Sequence, residues 1–552
     1  MSSVHSASEP PRKSTIWEDI KAYRKAYWLT AVASFGGMLF GWDTGLIGGV
    51  LTMDAFQHSF NLDSKSSDFA NLQGNIVSVL QGGCFFGAAA SFWLSDKIGR
   101  KWSLVSADLI FIIGSIIQTC SGLGTTNLTQ LYIGRFIGGF GVGLISAVVP
   151  TYIGENANRE IRGRCIGCMQ LFNVTGIMLS YFVNYGISNH IKSPTDATKW
   201  RIPFALQILP GALLLLILFE NESPRWLVEK FRIDEARKAL SRVRARPVDD
   251  PVIRDELHEI LADFEGKEKL SLSQQLRLAF SSKQMLYQSS LAVILMFWQQ
   301  WTGTNSINYY SPQIFKSVGL ASSSAGLFAT GIYGVVKVVF TALGLMFGVE
   351  QAGRKASHES FLPVLDKAPI MIKSSADPPS LPVAVHPNDS TLSGNNIFAI
   401  ICVYLFVVFY SFGWGPIPFV LSSECSPNHV RSLVMAASLM TQWLFNFVIA
   451  KLTPIMLDRI TYGTFLLFGA CCILMLLYAV FFVPETKGVP LESISVLFKD
   501  NIVAGATKDT IPRFSRARQL QEHHLTAGER TGGPGGKDVD DEERDGQAVH
   551  VA

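Results

Sequence analysis

Eleven apolar runs, each long enough to cross a bilayer, constrain this chain more than any other feature of its sequence. They begin near Trp28, Gly74, Ser103, Gln130, Ile166, Ile202, Leu286, Ala325, Ile397, Ser432 and Thr464. About 20 residues of helix, rising about 1.5 Å each, match a hydrocarbon layer about 30 Å thick. That layer offers the backbone no water, so each segment must pair its own amides and carbonyls, as a helix does. The 552 residues are 48% hydrophobic and 16% charged, a balance outside that of soluble domains. The predicted fold class is an all-α polytopic membrane protein.

The basic residues decide which side is which. Ser95-Asp96-Lys97-Ile98-Gly99-Arg100-Lys101 follows the second run, and Arg159, Arg162 and Arg164 follow the fourth. Short loops this rich in Lys and Arg stay in the cytoplasm. Residues 1–27 carry Arg12, Lys13, Lys21, Arg24 and Lys25, which marks a cytoplasmic N-terminus and a first span that is kept. Residues 28–220 then hold six spans, 221–283 a cytoplasmic helical linker, and 284–484 the second bundle. The cytoplasmic tail is 485–552, charged and glycine-rich and expected to be disordered after about residue 501. Within the linker, Ser223 before Pro224 is a helix start, and Ile253, Leu257, Ile260, Leu261 and Phe264 form an apolar stripe at helical spacing. These predict short amphipathic helices packed under the bundle. A net charge of +3 argues for no nucleic-acid partner. The eight cysteines sit mostly in apolar runs, and Cys165-x-x-Cys168 has no second pair, so neither metal nor cofactor is expected.

One stretch breaks the apolar pattern. Gln299-Gln300-Trp301-Thr302-Gly303-Thr304-Asn305-Ser306-Ile307-Asn308-Tyr309-Tyr310-Ser311-Pro312 continues the run from Leu291 to Trp298. Unpaired polar groups in hydrocarbon cost several kcal/mol each, so these side chains should face the bundle interior and meet a polar ligand, another helix or water. Gly303 and Pro312 should loosen the helix, freeing backbone groups that only a lined cavity can satisfy. The glycines from Gly134 to Gly143 are not a nucleotide loop, because the fingerprint would need glycine at Leu144 and a preceding strand. Their spacing instead allows close helix contact.

The chain also repeats itself. Gly99-Arg100-Lys101 returns as Gly353-Arg354-Lys355, Glu155 with Arg162 as Glu424 with Arg431, and Glu222-Ser223-Pro224 more loosely as Pro484-Glu485-Thr486. Each returns roughly 260 residues later, so two related halves flank the linker. Together with Gly134-Arg135-x-x-Gly138-Gly139-x-Gly141-x-Gly143, Glu222-Ser223-Pro224-Arg225, the Gln299-Gln300 stretch and Pro484-Glu485-Thr486-Lys487-Gly488, these residues resemble the sugar porters of the major facilitator superfamily, and especially the fungal hexose transporters. The resemblance covers about residues 25–355 and 397–490.

The resemblance implies a major facilitator fold, two six-helix bundles with a sugar site between them at mid-membrane. Carried over by position, Gln170, Gln299, Gln300, Asn305 and Asn446 would bond sugar hydroxyls, beside Tyr309. Trp414, Phe419 and Trp443 would supply apolar faces, Phe419 standing where relatives often have tryptophan. Amides suit hydroxyls because both donate and accept; the alternative is that they pair only with one another across helices. Asp43 in the first span and Arg135 in the fourth would carry proton coupling, the alternative being a permanent ion pair. Arg100, Glu155, Arg162, Glu222, Arg225, Arg354, Glu424, Arg431 and Glu485 resemble the cytoplasmic gate that ties the halves together. Lys337 in the eighth span is expected to face the cavity, with no role assigned.

The pattern fails at residues 356–396, where the ninth span belongs. The best apolar piece, Phe361 to Ile372, is short and holds Pro363, Asp366, Lys367 and Pro369. Each central charge costs about 2.5 to 3.5 kcal/mol on insertion scales, so the ninth span reads as corrupted, as after a frame shift. The function predicted is multi-pass, plasma-membrane transport of a monosaccharide, hexose first, by alternating access with a proton and without enzymatic chemistry. A sugar sensor of the same fold, a quinate or polyol transporter, and an inactive product of a disrupted gene remain as alternatives.

Overall fold

The computed structural model describes residues 21–63, 66, 68–124, 126–158, 161–265, 270–317, 323–346, 394–427, 430–460, 462–484 and 498. The predicted irregular segment 356–396 lies outside them except for its last three residues, as do Arg354, Glu485 and the tail after Phe498. Six long helices come first: α1 (Arg24–Leu51), α2 (Phe69–Ile98), α3 (Arg100–Thr119), α4 (Thr129–Asn156), α5 (Arg162–His190) and α6 (Thr198–Phe219). Four short ones follow, α7 (Pro224–Glu229), α8 (Ile233–Arg244), α9 (Pro251–Glu265) and α10 (Leu272–Ala279). The second set is α11 (Lys283–Gln300), α12 (Thr304–Ser317), α13 (Ser323–Leu343), α14 (Gly394–Phe412), α15 (Ile417–Cys425), α16 (Arg431–Arg459) and α17 (Tyr462–Phe482).

Among the described residues, nine helical stretches are long and apolar enough to cross a membrane. The first and seventh runs fall outside that set for a physical reason. α1 carries Asp43 and a row of glycines, and the seventh run is split into α11 and the polar α12.

Glycine lets the helices approach until backbones touch. On α1, a Cβ added at Gly41 would lie 1.9 Å from the Asn173 carbonyl oxygen of α5, and one at Gly176 would lie 2.2 Å from Met38 O. Such contacts maximise dispersion and polar backbone contact where lipid supplies no hydrophobic drive. Within the first set α1 packs on α5, and α4 on both α2 and α3; the two sets meet along α2 with α16 and α5 with α13.

α13 and α14 run parallel. Tyr404 Oη donates to Ala329 O at 2.9 Å near the start of α13, while Phe340 and Gly344 near its end adjoin Phe412. The chain ends that residues 347–393 join therefore lie on opposite faces of the bundle.

The linker helices form where the sequence predicts them. Ser223 accepts from Trp226 N with Pro224 at the first helical position, and Ile253, Leu257 and Ile260 bury against Trp226, Leu227 and Leu240. Trp226 Nε1 donates to Asp96 O at 3.1 Å, which fixes this small core under α2.

Candidate functional site

The seventh run breaks at Trp301–Gly303, where Gly303 takes φ +82. A Cβ there would sit 2.9 Å from Phe468 Cγ, so both the backbone and the space require glycine. Pro312 lies inside α12, which runs on to Ser317, and it loosens the backbone pairing without breaking the helix. The reason lies in the freed carbonyl. Proline removes the amide that would bond Asn308 O, and Tyr181 Oη from α5 donates to that oxygen at 2.8 Å instead.

Around this break the polar side chains form a ladder. Gln299 Nε2 donates to the carbonyls of Trp414 and Gly415, both at 3.0 Å, in the turn between α14 and α15. Gln300 Nε2 reaches Gln299 Oε1 at 3.5 Å, and Asn305 Nδ2 donates to Gln300 Oε1 at 2.6 Å. Asn308 Nδ2 donates to Asn305 Oδ1 at 3.2 Å, and Lys337 Nζ and Tyr333 Oη donate to Asn308 Oδ1 at 3.0 and 3.3 Å. Beside it, Tyr309 Oη donates to Asn446 Oδ1 at 3.2 Å across to α16. The rungs between Gln299, Gln300, Asn305 and Asn308 join amides that both donate and accept, so a hydroxylated solute can replace one of these rungs without leaving a buried orphan.

The structure thus gathers Gln299, Gln300, Asn305 and, through the neighbouring contact, Tyr309 and Asn446. Trp414 is buried and meets the ladder through its carbonyl; Gln170 stands half-buried on α5 and is not part of it. Trp443 packs edge-on to Phe40 of α1 with centroids 5.0 Å apart and donates to Ser146 Oγ of α4 at 3.1 Å, so its indole joins the halves. Phe419 is half-buried against the same core. Asn173 and Asn184 of α5 instead bond α1 carbonyls, the helix-to-helix pairing weighed for all these amides. Sequence reasoning missed Tyr181 and Tyr333; tyrosines in apolar runs carry no signal until a freed carbonyl or an amide lies opposite.

Asp43 and Arg135 face each other as expected. Arg135 Nη1 stands 3.6 Å from Asp43 Oδ1, with both side chains essentially inaccessible. The pair is loose: among the described residues Asp43 Oδ1 and Arg135 Nε and Nη1 make no hydrogen bond, and Nη2 donates to Val77 O at 3.4 Å.

Where α2 ends and α3 begins, Arg100 Nε meets Glu155 Oε2 at 3.1 Å and its Nη1 meets Asp96 Oδ1 at 3.4 Å. Glu222 accepts from the Arg100, Lys101 and Ser223 amides at 2.9 to 3.1 Å, serving as a cap for α3 supplied from the linker. Burial pushes the Glu222 carboxyl up, and these amides pull it back down. Arg225 lines a cavity of about 140 Å³ with Arg100 and Glu155. Arg162 opens α5, Glu424 lies in the last turn of α15 and Arg431 opens α16. The linker adds a contact not predicted: Arg244 pairs with Glu256 at 2.6 Å and donates to Asn156 O at the end of α4.

Replacing Glu222 by Ala leaves the first amides of α3 without a charged acceptor. A loss of about 1 to 2 kcal/mol is expected, with Glu222→Gln retaining part of it, measured as melting temperatures of the purified protein.

Comparison with known proteins shows the family. The family model described as "Sugar (and other) transporter" matches residues 29–498. A probable quinate permease of Aspergillus fumigatus is 35% identical over 512 residues, covering 91% of this chain and 92% of the relative. One of Aspergillus niger is 36% identical over 520 residues, covering 91% and 94%. Among solved structures, the proton:xylose symporter XylE bound to 6-bromo-6-deoxy-D-glucose matches with a TM-score of 0.69 at 27% identity, covering 87% of this chain and all of that one. The inward-open xylose transporter from E. coli matches with a TM-score of 0.67 at 28% identity, covering 86% and 99%. With two helical sets, a broken seventh run and a family match across most of its length, the chain belongs to the sugar transporter family of the major facilitator superfamily, a family of membrane carriers.

Proposed function

We propose that this protein carries a monosaccharide-sized, polyhydroxylated solute across the plasma membrane by alternating access, in symport with a proton. The observation that carries the reading is the ladder from Gln299 to Asn308, set at a helix break between the two sets and built from groups that match hydroxyls. Gln170, with its half-buried amide, and Tyr309 and Asn446 extend the binding surface. The names of the relatives support the class: quinate and xylose are both compact rings or chains dense in hydroxyls, as is the hexose that the sequence favours. Asp43, facing Arg135, is the proton carrier, and the XylE match to a proton symporter supports it. Arg100, Glu155, Glu222 and Arg225, with Arg162, Glu424, Arg431, Arg354 and Glu485, form the cytoplasmic gate; individually such pairs are weak, and their sum sets the balance between two states.

The test is uptake of labelled glucose, xylose and quinate in cells that lack their own carriers. The parent chain should take up at least one of them. Asn305→Ala, which removes a central rung, should lower that uptake about tenfold, equivalent to about 1.4 kcal/mol, at equal protein in the membrane. A parent that moves none of the three, or an Asn305→Ala chain that keeps the parent rate, would overturn the assignment.

A further inference from the structure

Lys337 lies midway along α13 with 4% of its surface exposed. An ammonium carries three donors, yet among the described residues only Asn308 Oδ1, at 3.0 Å, accepts from it. Its other neighbour is the ring of Tyr410, 5.9 Å from centroid to Nζ. The two arginines buried in the first set each face a carboxylate, Arg135 with Asp43 and Arg100 with Glu155. No carboxylate among the described residues stands opposite Lys337. A buried cation inside a membrane protein persists where it pairs or where it lines the route of a charged solute.

The position of this cation matters as much as its isolation. Asn308, its one acceptor, is the last rung of the ladder that runs back through Asn305 and Gln300 to Gln299. One end of the ladder therefore offers amides suited to hydroxyls, and the other an unmatched positive charge. We propose that Lys337 receives the carboxylate of the substrate, so that the site selects polyhydroxylated monocarboxylates over neutral sugars of the same size. This inference rests on the reading of the ladder as the substrate site. In a water-poor cavity an ammonium–carboxylate contact is stronger than a neutral hydrogen bond, and it is the contact a neutral sugar cannot make. A second consequence is electrical. One proton moving with one monoanion transfers no net charge, whereas one proton moving with a neutral sugar transfers one positive charge.

The experiment compares quinate, a tetrahydroxy carboxylate, with its methyl ester, which keeps the hydroxyls and loses the charge, and with glucose. In the full-length parent, unlabelled quinate should inhibit uptake of labelled quinate at least tenfold more effectively than the ester, and quinate uptake should produce no membrane current. Lys337→Met should raise the quinate concentration needed for half-maximal uptake at least tenfold, and Lys337→Arg should restore most of it. Competition on the parent does not depend on whether a variant folds. A parent that carries glucose and ignores quinate, or one on which quinate and its ester compete equally, overturns the role of Lys337 and leaves the ladder as a site for neutral sugars. A parent that carries neither of these nor xylose overturns the ladder reading itself, and this inference with it.

Discussion

Asp43→Asn is expected to abolish accumulation of substrate against its gradient while leaving exchange of labelled for unlabelled substrate intact. The argument starts from burial. Asp43 and Arg135 are withdrawn from water, yet their closest approach is 3.6 Å and Asp43 Oδ1 accepts no hydrogen bond. A pair made only to pin two helices would close to bonding distance, because an unsatisfied buried charge is costly. A loose pair can be parted at small loss. Alone in a dry bundle a carboxyl is stable as the neutral acid; opposite a guanidinium it is stable as the anion. A conformational change that alters the separation therefore loads and unloads one proton. Each pH unit of gradient is worth about 1.4 kcal/mol, so the parent should concentrate substrate about tenfold per unit. Asparagine keeps the shape and holds no exchangeable charge, so its accumulation ratio should fall to about one at external pH 5 and 7 alike. Proteoliposomes loaded with unlabelled substrate measure exchange, and the same vesicles under a pH gradient measure accumulation. An asparagine variant that still concentrates substrate would leave Asp43 as a structural residue.

The second large effect is on assembly. At Gly41 even a methyl group has no room, since its carbon would lie 1.9 Å from Asn173 O, which is backbone and cannot swing aside. Contact between carbon and oxygen needs more than 3 Å, so α1 would have to back away from α5 by over an ångström. That movement would also slacken Gly37 against Met169 O and Gly45 against Ser180, on a helix that carries Asp43 half a turn away. Gly41→Ala should therefore cost at least about 3 kcal/mol, and Gly41→Leu should yield no monodisperse protein. Gly186, near the end of α5, has nothing within 4 Å of an added Cβ, and Gly186→Ala should leave yield and melting temperature unchanged. Size-exclusion profiles of the three variants from equal cell mass decide the matter. A Gly41→Ala chain as stable as the parent would mean that α1 and α5 do not touch in this way.

The spans were legible because hydrocarbon forces long apolar runs. The break at Gly303 was legible too, since glycine beside a row of amides in a span has few uses. The loosening at Pro312 was expected, but the partner of the carbonyl it frees was not, because Tyr181 stands 131 positions earlier in the chain and pairing over such distances leaves no local trace. The same holds for Glu222, recognised by its motif although its task is to cap a helix from the first set. Lys337 stood out as a charge in an apolar helix, but only the ladder ending at Asn308 suggests what it meets. Residues 356–396 bear on the weakest expectation, the corrupted ninth span, and almost all lie outside the described residues. α13 and α14 nevertheless run the same way.

The joint at Gly303 divides loyalties along a single membrane crossing. Below it, α11 is fastened to its own half through Gln299 and the Trp414 carbonyl. Above it, α12 is held by both halves: Tyr181 donates to Asn308 O and the Tyr309 carbonyl lies against Gly48, where a Cβ would lie 2.3 Å away, while Tyr309 and Tyr310 bond Asn446 and Ala450 of α16. If the two sets moved apart, α12 would have to release one of these sets of partners, and Gly303 is the residue at which the run could fold. The ladder spans that crease, so a solute bound there would bear on both segments at once.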